Sequence, residues 1–426
     1  MGDIANDEIP YEFVDFDWVD LSGVTRRRVL TNHFAHQIKQ GLRTISLLHV
    51  LGSWPLVGTP DRQPPPGDVP LRPDWSTLRR DNSRPGHAGV ICSLSYPPQP
   101  EQLPTCPRVM LQSVCKDAKE TAGLDFLVGF EIEFVLIDLA VDPKLPIDNI
   151  PIWTGAAGLR NKYYNILVQC VRHIVNAGIA VEQHHNESPR GLHEIILAPS
   201  PPCEAVDNLV RAQEIIRHTY RMNDILATLF PKPTSLPTGV GQHAHVSVSP
   251  ADVETHFLAG VIDHLPALCA IGMANYDSYV RVKDAAGTMG TWISWGLQLR
   301  DVPIRKIKRA HWEMRFVDAT ANMYFAIAST LMAGLQGVRQ RAQLTSSDPK
   351  ASPSTLDPEV REVAGITRKL PTTFRDAITH LKHDELLGKS PATLIVQRFI
   401  ELKKAEIEAV EKLSEEERRD KFLQFY

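Results

Sequence analysis

A strand that carries two acidic side chains constrains the fold of this chain more than any other feature of its sequence. The stretch GFEIEF, residues 129–134, places Glu131 and Glu133 between the apolar flanks LDFLV and VLIDLA. A long apolar run of this kind predicts a strand, and because side chains alternate along a strand, both glutamates face the same side of a sheet. Neighbouring carboxylates in apolar surroundings repel each other and lose hydration unless a positive group lies between them. A hard cation such as Mg²⁺ or Mn²⁺ would satisfy that requirement.

Three later segments add potential ligands for such an ion. The candidates are Glu187 and Glu194 in HNESPRGLHEI, His243 and His245 in PTGVGQHAHVSVS, and Glu313 beside Arg315 in HWEMRFVDATANMYF. Taken singly, the short patterns are explained better by ordinary features: an exposed edge strand for Glu131 and Glu133, a pair of strand histidines for HxH, and a surface ion pair for ExR. Their occurrence together in one chain favours a metal site.

The composition narrows the class of protein. With 426 residues, 43% of them hydrophobic and 23% charged, the chain is long enough for two globular domains. Its formal net charge of -4 gives no basic field that would attract nucleic acid or an anionic membrane. No apolar run approaches the roughly 20 residues of a membrane span, and the acidic start MGDIANDEIPYEF is unlike a signal peptide. Six cysteines without a CxxC pair indicate reduced thiols, so we expect a cytoplasmic protein.

The order of predicted elements divides the chain into residues 1–104 and 105–426. The first part begins with a predicted hairpin whose turn is LSG, and the Pro- and Gly-rich stretch 58–74 is typical of an exposed loop. The second part alternates strands with helices, among them one helix predicted over 205–230. The tail 391–426 is rich in charged residues and predicts a helix on the solvated surface.

Six short motifs follow one another along the chain. They read GFEIE, HNESPRGLHE, GVGQHAH, YVR, LRDVPIR and EMRFVDATANMY. In order and spacing they resemble the catalytic domain of the glutamine synthetase family, from about Arg108 to at least Val338. The resemblance implies an α/β two-domain fold, with a β-grasp-like amino-terminal domain followed by a glutamine-synthetase-like catalytic domain. It also implies an ATP-dependent ligase that forms carbon–nitrogen bonds, assembled as a homo-oligomeric ring with active sites between subunits.

The resemblance also assigns the ligands of two metal ions. The ion that faces the acceptor carboxylate would be held by Glu133, Glu187 and Glu194, and the ion that bridges the phosphates of ATP by Glu131, His243 and Glu313. The implied cofactors are therefore ATP and two or three Mg²⁺ or Mn²⁺ ions. Divalent ions in a carboxylate cage neutralise the phosphates and align the terminal one for in-line transfer.

Further residues match family positions that contact substrate or nucleotide. Arg300 and Arg305 match a pair that contacts the transferring phosphoryl group, where planar guanidinium groups stabilise charge. Arg281 matches the arginine that pairs with the α-carboxylate of the substrate, and Arg315 matches one between substrate and nucleotide. These four arginines are the candidate catalytic residues. Gly239 matches the substrate site, and the residues that match the ATP pocket are Glu182, His245, Ser247 and Lys308.

Four positions depart from the family pattern. Gly287 stands where the family has a glutamate that covers the active site and helps to bind ammonium. The other departures are His311 for an arginine, Thr238 for an asparagine and Leu192 for a glutamine. Without the lid carboxylate a site loses its anionic recognition of ammonium, whereas the vacated space can admit a carbon chain. Asp284, three residues before Gly287, is a potential substitute for the missing carboxylate.

These features leave three functions open. The first is a ligase that phosphorylates glutamate or a related acid and joins it to an amine larger than ammonia, as in the γ-glutamyl-polyamine branches of the family. The second is a phosphotransferase with the same catalytic fold. The third is a non-catalytic or structural descendant, against which the complete set of metal ligands argues, because buried acids without a cation are costly. Nucleic acid binding by the basic cluster RKIKR is disfavoured by its length and by the overall charge.

Overall fold

The structure is a computed structural model that describes residues 9–52, 54–59, 67–95, 105–138, 140–141, 145–147, 153–187, 190–236, 239–285, 288–389, 394–423 and 425–426. Its strands are β1 (Phe13–Val19), β2 (Thr25–Thr31), β3 (Ile45–Leu48), β4 (Asp68–Pro73), β5 (Arg79–Arg80), β6 (His87–Leu94), β7 (Asp125–Asp138), β8 (Val181–Asn186), β9 (Leu192–Ser200), β10 (Ile225–Thr228), β11 (Ala244–Ser249), β12 (Trp295–Gly296), β13 (Ile304–Lys308) and β14 (His311–Met314). Its α-helices are α1 (Asn32–Lys39), α2 (Pro107–Ala122), α3 (Tyr163–Asn176), α4 (Pro202–Arg221), α5 (Glu254–Gly272), α6 (Met323–Gln340), α7 (Pro358–Val363), α8 (Phe374–His383), α9 (Leu394–Val410) and α10 (Glu415–Phe422). The expectations for Thr238 and Gly287 lie outside the described residues.

Six strands near the amino terminus form a mixed sheet in the order β2-β1-β6-β4-β3, with β5 also paired to β6. β1 and β2 make the predicted antiparallel hairpin, in register from Phe13↔Thr31 onward, and β1 runs parallel to β6. The helix α1 follows the hairpin and packs against it. Its core includes Val14, Phe16 and Trp18. A hairpin, a helix and a parallel central pair agree with a β-grasp-like arrangement.

Eight strands form the larger sheet, in the order β12-β13-β14-β11-β7-β9-β8, with β10 paired to the far end of β7. The long strand β7 lies between β11 and β9 and is antiparallel to both. Phe130, Ile132 and Phe134 pack into the main core together with side chains of α2 to α6. Because side chains alternate along a strand, Glu131 and Glu133 face the opposite side of the sheet, as their spacing predicted.

The carboxyl-terminal tail covers part of that opposite side. Instead of one solvated helix, it forms α9 and α10, and α10 begins at a capping box formed by Ser414 and Glu417. Phe422 and Tyr426 pack with Val135 of β7 in a separate apolar core. The prediction of a solvated surface helix was therefore wrong, because apolar residues between the charges find a sheet face to bury against.

Two other predicted elements differ from the structure. The stretch 58–74, predicted as a loop, contains β4, which pairs with β3 and β6. The helix predicted over 205–230 ends at Arg221, and Ile225–Thr228 forms β10 on the end of β7. In both cases a neighbouring strand supplies backbone hydrogen-bond partners that local propensity does not register.

The segment Ala251–Gly272 is long and apolar enough to cross a membrane by length and composition alone, with a mean hydropathy of 1.2. Within the protein, 72% of its most apolar stretch of 18 residues is buried. It contains α5, which packs along α6, where Gly260 lies against the backbone of Ala333 and leaves no room for a side chain. Its apolar character is thus used in the main hydrophobic core beside the larger sheet.

Candidate active site and metal centre

Three residues from adjacent strands form the first group of potential metal ligands: Glu131 on β7, His243 directly before β11, and Glu313 on β14. His243 Nδ1 lies 2.8 Å from Glu131 Oε2 and 3.2 Å from Glu313 Oε1. The strand order explains the cluster, since β11 lies between β7 and β14 and brings side chains from both to its own end. Nitrogen and carboxylate oxygen atoms at such distances could bind one divalent cation.

The second group consists of His185, Glu187 and Glu194. His185 on β8 pairs directly with Glu194 on β9, and its Nε2 lies 2.8 Å from Glu187 Oε1 and 3.5 Å from Glu194 Oε1. His185 is the first residue of the second motif, HNESPRGLHE, and the resemblance assigns it no role. The signal that could have identified it is its spacing of two from Glu187, which places both side chains on one face of an extended segment.

Glu133 lies between the two groups. It is paired across the ladder with Glu194, and its Oε1 is 3.8 Å from His243 Nδ1. Its other oxygen accepts a hydrogen bond from the backbone N–H of Gly241 at 2.7 Å. The structure thus brings all six expected metal ligands to one side of the sheet, while His185, rather than Glu133, completes the second compact group.

Charge repulsion between these buried carboxylates favours a cation among them. Burial raises the pKa of Glu194 to about 10, and nearby carboxylates add to that effect. These carboxylates belong to Glu131, Glu133, Glu187 and Glu313. Burial also opposes ionisation of Glu131, but hydrogen bonds from His243 and His245 outweigh it and hold the pKa of Glu131 well below its usual value. A donor set of buried carboxylates and one imidazole per group fits hard divalent ions, which would keep Glu194 ionised.

Two of the predicted arginines contact the first ligand group. Arg305 donates a hydrogen bond to Glu313 Oε2 at 3.1 Å, and Arg315 donates one to Glu313 Oε1 at 2.5 Å. Arg305 reaches Glu313 because the two residues are directly paired on β13 and β14. Arg300 is exposed, and its guanidinium lies 4.8 Å from the centre of the Trp153 ring.

Arg281 is buried at the end of the short helical turn Tyr276–Arg281. Its guanidinium donates to the carbonyl oxygens of Arg315 at 2.8 Å and Val317 at 3.0 Å. Gly239 and Gly241 pass close to this side chain: a Cβ at Gly239 would lie 3.0 Å from Arg281 Cγ, and one at Gly241 would lie 2.9 Å from Arg281 Nη2. The glycines therefore let the arginine approach the acidic groups.

The predicted nucleotide residues divide into two sets. His245 and Ser247 form a cluster with His311, whose Nε2 lies 3.2 Å from His245 Nδ1 and whose Nδ1 lies 2.7 Å from Ser247 Oγ. Burial, followed by the positive charges of His245 and Lys308, lowers the pKa of His311 to about 4. Glu182 and Lys308 are exposed, on β8 and at the end of β13.

Besides His311, the structure places Leu192, which departs from the motif pattern, and Asp284, the potential substitute for the missing carboxylate. Leu192 is buried in the apolar core formed with the carboxyl-terminal tail, on the same face of β9 as Glu194. The hydroxyl of Thr291 donates one bifurcated hydrogen bond to the carboxylate of Asp284, with Oδ1 at 3.0 Å and Oδ2 at 2.9 Å. This contact fixes the carboxylate of Asp284 to a residue of its own loop.

Comparison with known proteins identifies the family. Residues 104–422 match the family model described as glutamine synthetase, catalytic domain. The chain is 33% identical over 366 residues to Protein fluG of Emericella nidulans, a match that covers 84% of this chain and 42% of fluG. The chain thus spans about two fifths of the length of that relative. It is also 26% identical over 431 residues to γ-glutamylpolyamine synthetase GlnA3 of Streptomyces coelicolor, covering 94% and 90% of the two chains.

A glutamine synthetase of Methanocaldococcus jannaschii is 27% identical over 432 residues, covering 93% of this chain and 91% of that protein. Among solved structures, GmaS in complex with ADP has a TM-score of 0.82 at 23% identity over 96% of both chains. A glutamine synthase homologue has a TM-score of 0.79 at 23% identity over 100% of both chains.

These likenesses confirm the resemblance seen in the motifs, the α/β fold class with two sheets, and the expectation of a ligase. The family model alone covers most of the chain. The chain therefore belongs to the glutamine synthetase family, a family of ATP-dependent ligases that form carbon–nitrogen bonds.

Proposed function

We propose that this protein activates glutamate or a related acid as an acyl phosphate with ATP and forms an amide with an amine larger than ammonia. The observation that carries the proposal is the pair of adjacent acidic groups on one face of the large sheet, bordered by Arg281, Arg305 and Arg315. Clustered carboxylates that can bind divalent cations, with arginines beside them, are suited to the transfer of a phosphoryl group.

The chain's residues divide the work as follows. Glu131, His243 and Glu313 would hold one ion, and Glu187 and Glu194 the other, with Glu133 between them. Bound divalent ions would supply charge neutralisation of the phosphates. Arg305 and Arg315 share the two oxygens of Glu313, so both guanidinium groups are fixed beside one metal ligand, where negative charge would develop.

Substrate and nucleotide positions belong to the same proposal. Arg281 would bind the α-carboxylate of the acid substrate, because its Nη2 lies beside Gly241 at the edge of the acidic groups. ATP would lie toward the opposite end of the cleft. The proposed contacts there are Glu182, His245, Ser247, Arg300 and Lys308. His311 positions two of these, His245 and Ser247.

An amine larger than ammonia fits a site without a lid carboxylate. Gly287 replaces a lid carboxylate in the sequence, and Asp284 is engaged with Thr291. Recognition of ammonium depends on charge and hydrogen bonds, whereas a longer amine gains roughly 0.8 kcal/mol for each buried methylene. The relative named γ-glutamylpolyamine synthetase supports an amine of this kind.

The assembly and location complete the proposal. Residues 1–104 would form the small domain and 105–426 the catalytic domain of a cytoplasmic homo-oligomeric ring with inter-subunit active sites. Light scattering on the purified chain tests the assembly. A monomer that forms amides at the full rate would contradict sites shared between subunits.

An amine screen tests the reaction. ATP-dependent phosphate release is measured with glutamate and either ammonium or a panel of alkyl, aryl and polyamines at equal concentration, and the amide is detected by mass. We expect at least one primary amine to exceed ammonium. A rate with ammonium above every amine would overturn the amine proposal, a phosphorylated product without amide would favour the phosphotransferase, and no turnover would favour a structural protein. Glu313→Gln is the inactive control, since it removes a proposed metal ligand whose carboxylate also accepts hydrogen bonds from Arg305 and Arg315.

A further inference from the structure

Trp153 contacts both halves of the proposed site. Its indole Nε1 donates a hydrogen bond to Glu187 Oε1 at 2.9 Å, and the guanidinium of Arg300 lies over its ring at 4.8 Å. Trp153 is 49% exposed, so packing into an apolar core does not explain the position of the indole. Trp153 is thus a large apolar side chain that remains half exposed. Its contacts with the proposed metal ligand Glu187 and with Arg300 indicate a role in the site.

The backbone on the carboxyl-terminal side of Trp153 is fixed to the strand that carries the second ligand group. The N–H of Thr154 donates to the carbonyl of Asn186 at 3.0 Å, and Asn186 is the last residue of β8, directly before Glu187. Gly158 lies against the same asparagine, because a Cβ there would be 2.9 Å from Asn186 Nδ2. The loop is thus anchored one residue away from the carboxylate that Trp153 contacts.

We propose that Trp153 is a positioning residue that orients Glu187 for metal binding and holds Arg300 over the phosphate site. Trp153 Nε1 and His185 Nε2 both contact Oε1 of Glu187, at 2.9 and 2.8 Å. Two contacts on one oxygen set the plane of the carboxylate and the direction of Oε2. Groups that hydrogen-bond to a metal ligand in this way change metal affinity when removed.

The ring performs the second part of this role. Arg300 is exposed and has a long, flexible side chain, so without a surface to stack on it would sample many rotamers. The indole face restricts the guanidinium to one side of the site. The consequence for phosphoryl transfer rests on the proposed function, whereas the consequence for metal binding does not.

Two substitutions separate the roles. Trp153→Phe keeps an aromatic face but removes the N–H donor, and Trp153→Leu removes both. Mn²⁺ affinity is measured by calorimetry on the full chain without nucleotide. We expect both variants to bind Mn²⁺ roughly 10- to 100-fold more weakly. The matched control is Trp292→Phe, since Trp292 also lies under an arginine, Arg361 at 3.9 Å, and should leave Mn²⁺ affinity unchanged. Wild-type affinity in Trp153→Phe would overturn the orienting role.

A third variant guards against a folding defect in the first two. Gly158→Ala leaves the indole intact but places a Cβ 2.9 Å from Asn186 Nδ2, so the loop and Asn186 must move apart, and we expect Mn²⁺ binding to weaken in the same direction. Unchanged Mn²⁺ affinity in Gly158→Ala, in a chain with a wild-type melting temperature, would count against the proposal.

A double-mutant cycle tests the contact with Arg300. ADP affinity in the presence of Mn²⁺ and the kcat and KM for ATP are compared for Trp153→Leu, Arg300→Ala and the double variant. We expect the two losses to be strongly non-additive, because either substitution removes the same contact. Additive losses would remove the stacking role.

The proposed function and the positioning role can fail separately. If the wild-type chain forms no amide but Trp153→Phe still weakens Mn²⁺ binding, the proposed function falls and the positioning role stands. If the chain is a working ligase and Trp153→Phe leaves Mn²⁺ binding unaffected, the proposed function stands and the positioning role falls.

Discussion

Glu313 shows how single residues in this site depend on one another. It is 2% exposed, and its two oxygens accept hydrogen bonds from Arg305 and Arg315 while His243 lies 3.2 Å away. Burial works against ionisation of Glu313, but His243 and Arg315 outweigh it and lower its pKa. The carboxylate therefore stays charged, and the arginines stay fixed, before any substrate is bound.

Replacing Arg305 by alanine should reduce kcat by about 10²–10³-fold, because a preorganised cation acts mainly on charge that develops in the transition state. Affinity for ADP should change much less. Steady-state kinetics and ADP calorimetry measure the two effects. Arg309→Ala, an exposed residue at the end of the same hairpin, serves as the control and should keep kcat. Unchanged turnover in Arg305→Ala would favour the non-catalytic function.

Glu194 predicts a pH dependence of stability in metal-free protein. Burial and neighbouring carboxylates raise its pKa in the folded state to about 10 from an ordinary value of 4.5. The folded state then holds a proton that the unfolded state releases, so this stabilising contribution is full below pH 4.5 and is lost as the pH rises toward 10. With chelator present, Glu194→Gln should therefore melt at a higher temperature than wild type at pH 8 and show a flatter decline from pH 6 to 9. Parallel melting curves for the two proteins would contradict the prediction.

The last helix of the chain supports the element that carries Arg281. Arg418 on α10 donates to both oxygens of Asp277 at 2.9 to 3.1 Å and stacks on Tyr276 at 4.8 Å. Asp277 is buried in the short helical turn that ends at Arg281. The carboxyl-terminal helix is thus connected to the proposed acceptor site through one ion pair.

Arg418→Ala should destabilise the protein by on the order of 3 kcal/mol, because it leaves Asp277 buried without its partner. It should also raise the KM for the acceptor acid, since the turn holding Arg281 loses its support. Denaturant unfolding and steady-state kinetics measure these effects. The control is Arg419→Ala on the same helix, whose pair with the more exposed Glu415 contributes about 1 kcal/mol or less. Equal effects of the two substitutions would show that the contact with Asp277 has no special role.

At the scale of the molecule, the first hairpin joins the two sheets. Asn322 donates a hydrogen bond to the carbonyl oxygen of Asp20 at 2.8 Å, and the hydroxyl of Tyr426 donates one to the carbonyl oxygen of Ser22 at 3.1 Å. Gly23 in this turn has φ of +91°, and a side chain there would collide with the backbone before α6. The amino-terminal turn, the start of α6 and the last residue of the chain are therefore packed together, which favours unfolding as one unit.

ATP with Mg²⁺ should accordingly raise the melting temperature of the whole chain in a single transition. A ligand that binds only the folded state stabilises it by about 2.7 kcal/mol at 100 times its Kd. Differential scanning calorimetry measures the increase in melting temperature. ATP plus EDTA is the control and should increase the melting temperature only slightly. Glu313→Gln should lose the shift because it removes a proposed metal ligand. An equal shift with EDTA would show that nucleotide binds without the acidic groups.

The alternation of side chains in β7 was determined by the sequence alone, and so were the family motifs. The end of α2 is equally local, since it stops at Gly123, whose φ is +68°. These features depend on neighbours within a few residues, where period and backbone conformation decide the outcome. The strands that lie on either side of a given strand, by contrast, are not determined by residues nearby in the sequence. Which carboxylates share a ligand group, and that His185 joins one of them, followed from the order β11-β7-β9-β8.

The carboxyl-terminal tail and β10 were likewise decided only by the tertiary structure. Their sequences read as a surface helix and as the end of α4, and each changed role because an open sheet face or strand edge was available. Burial and backbone pairing with residues far away in the chain outweigh a local helix propensity of a few tenths of a kcal/mol per residue. Local pattern determines which face a side chain takes, but long-range packing determines what that face meets.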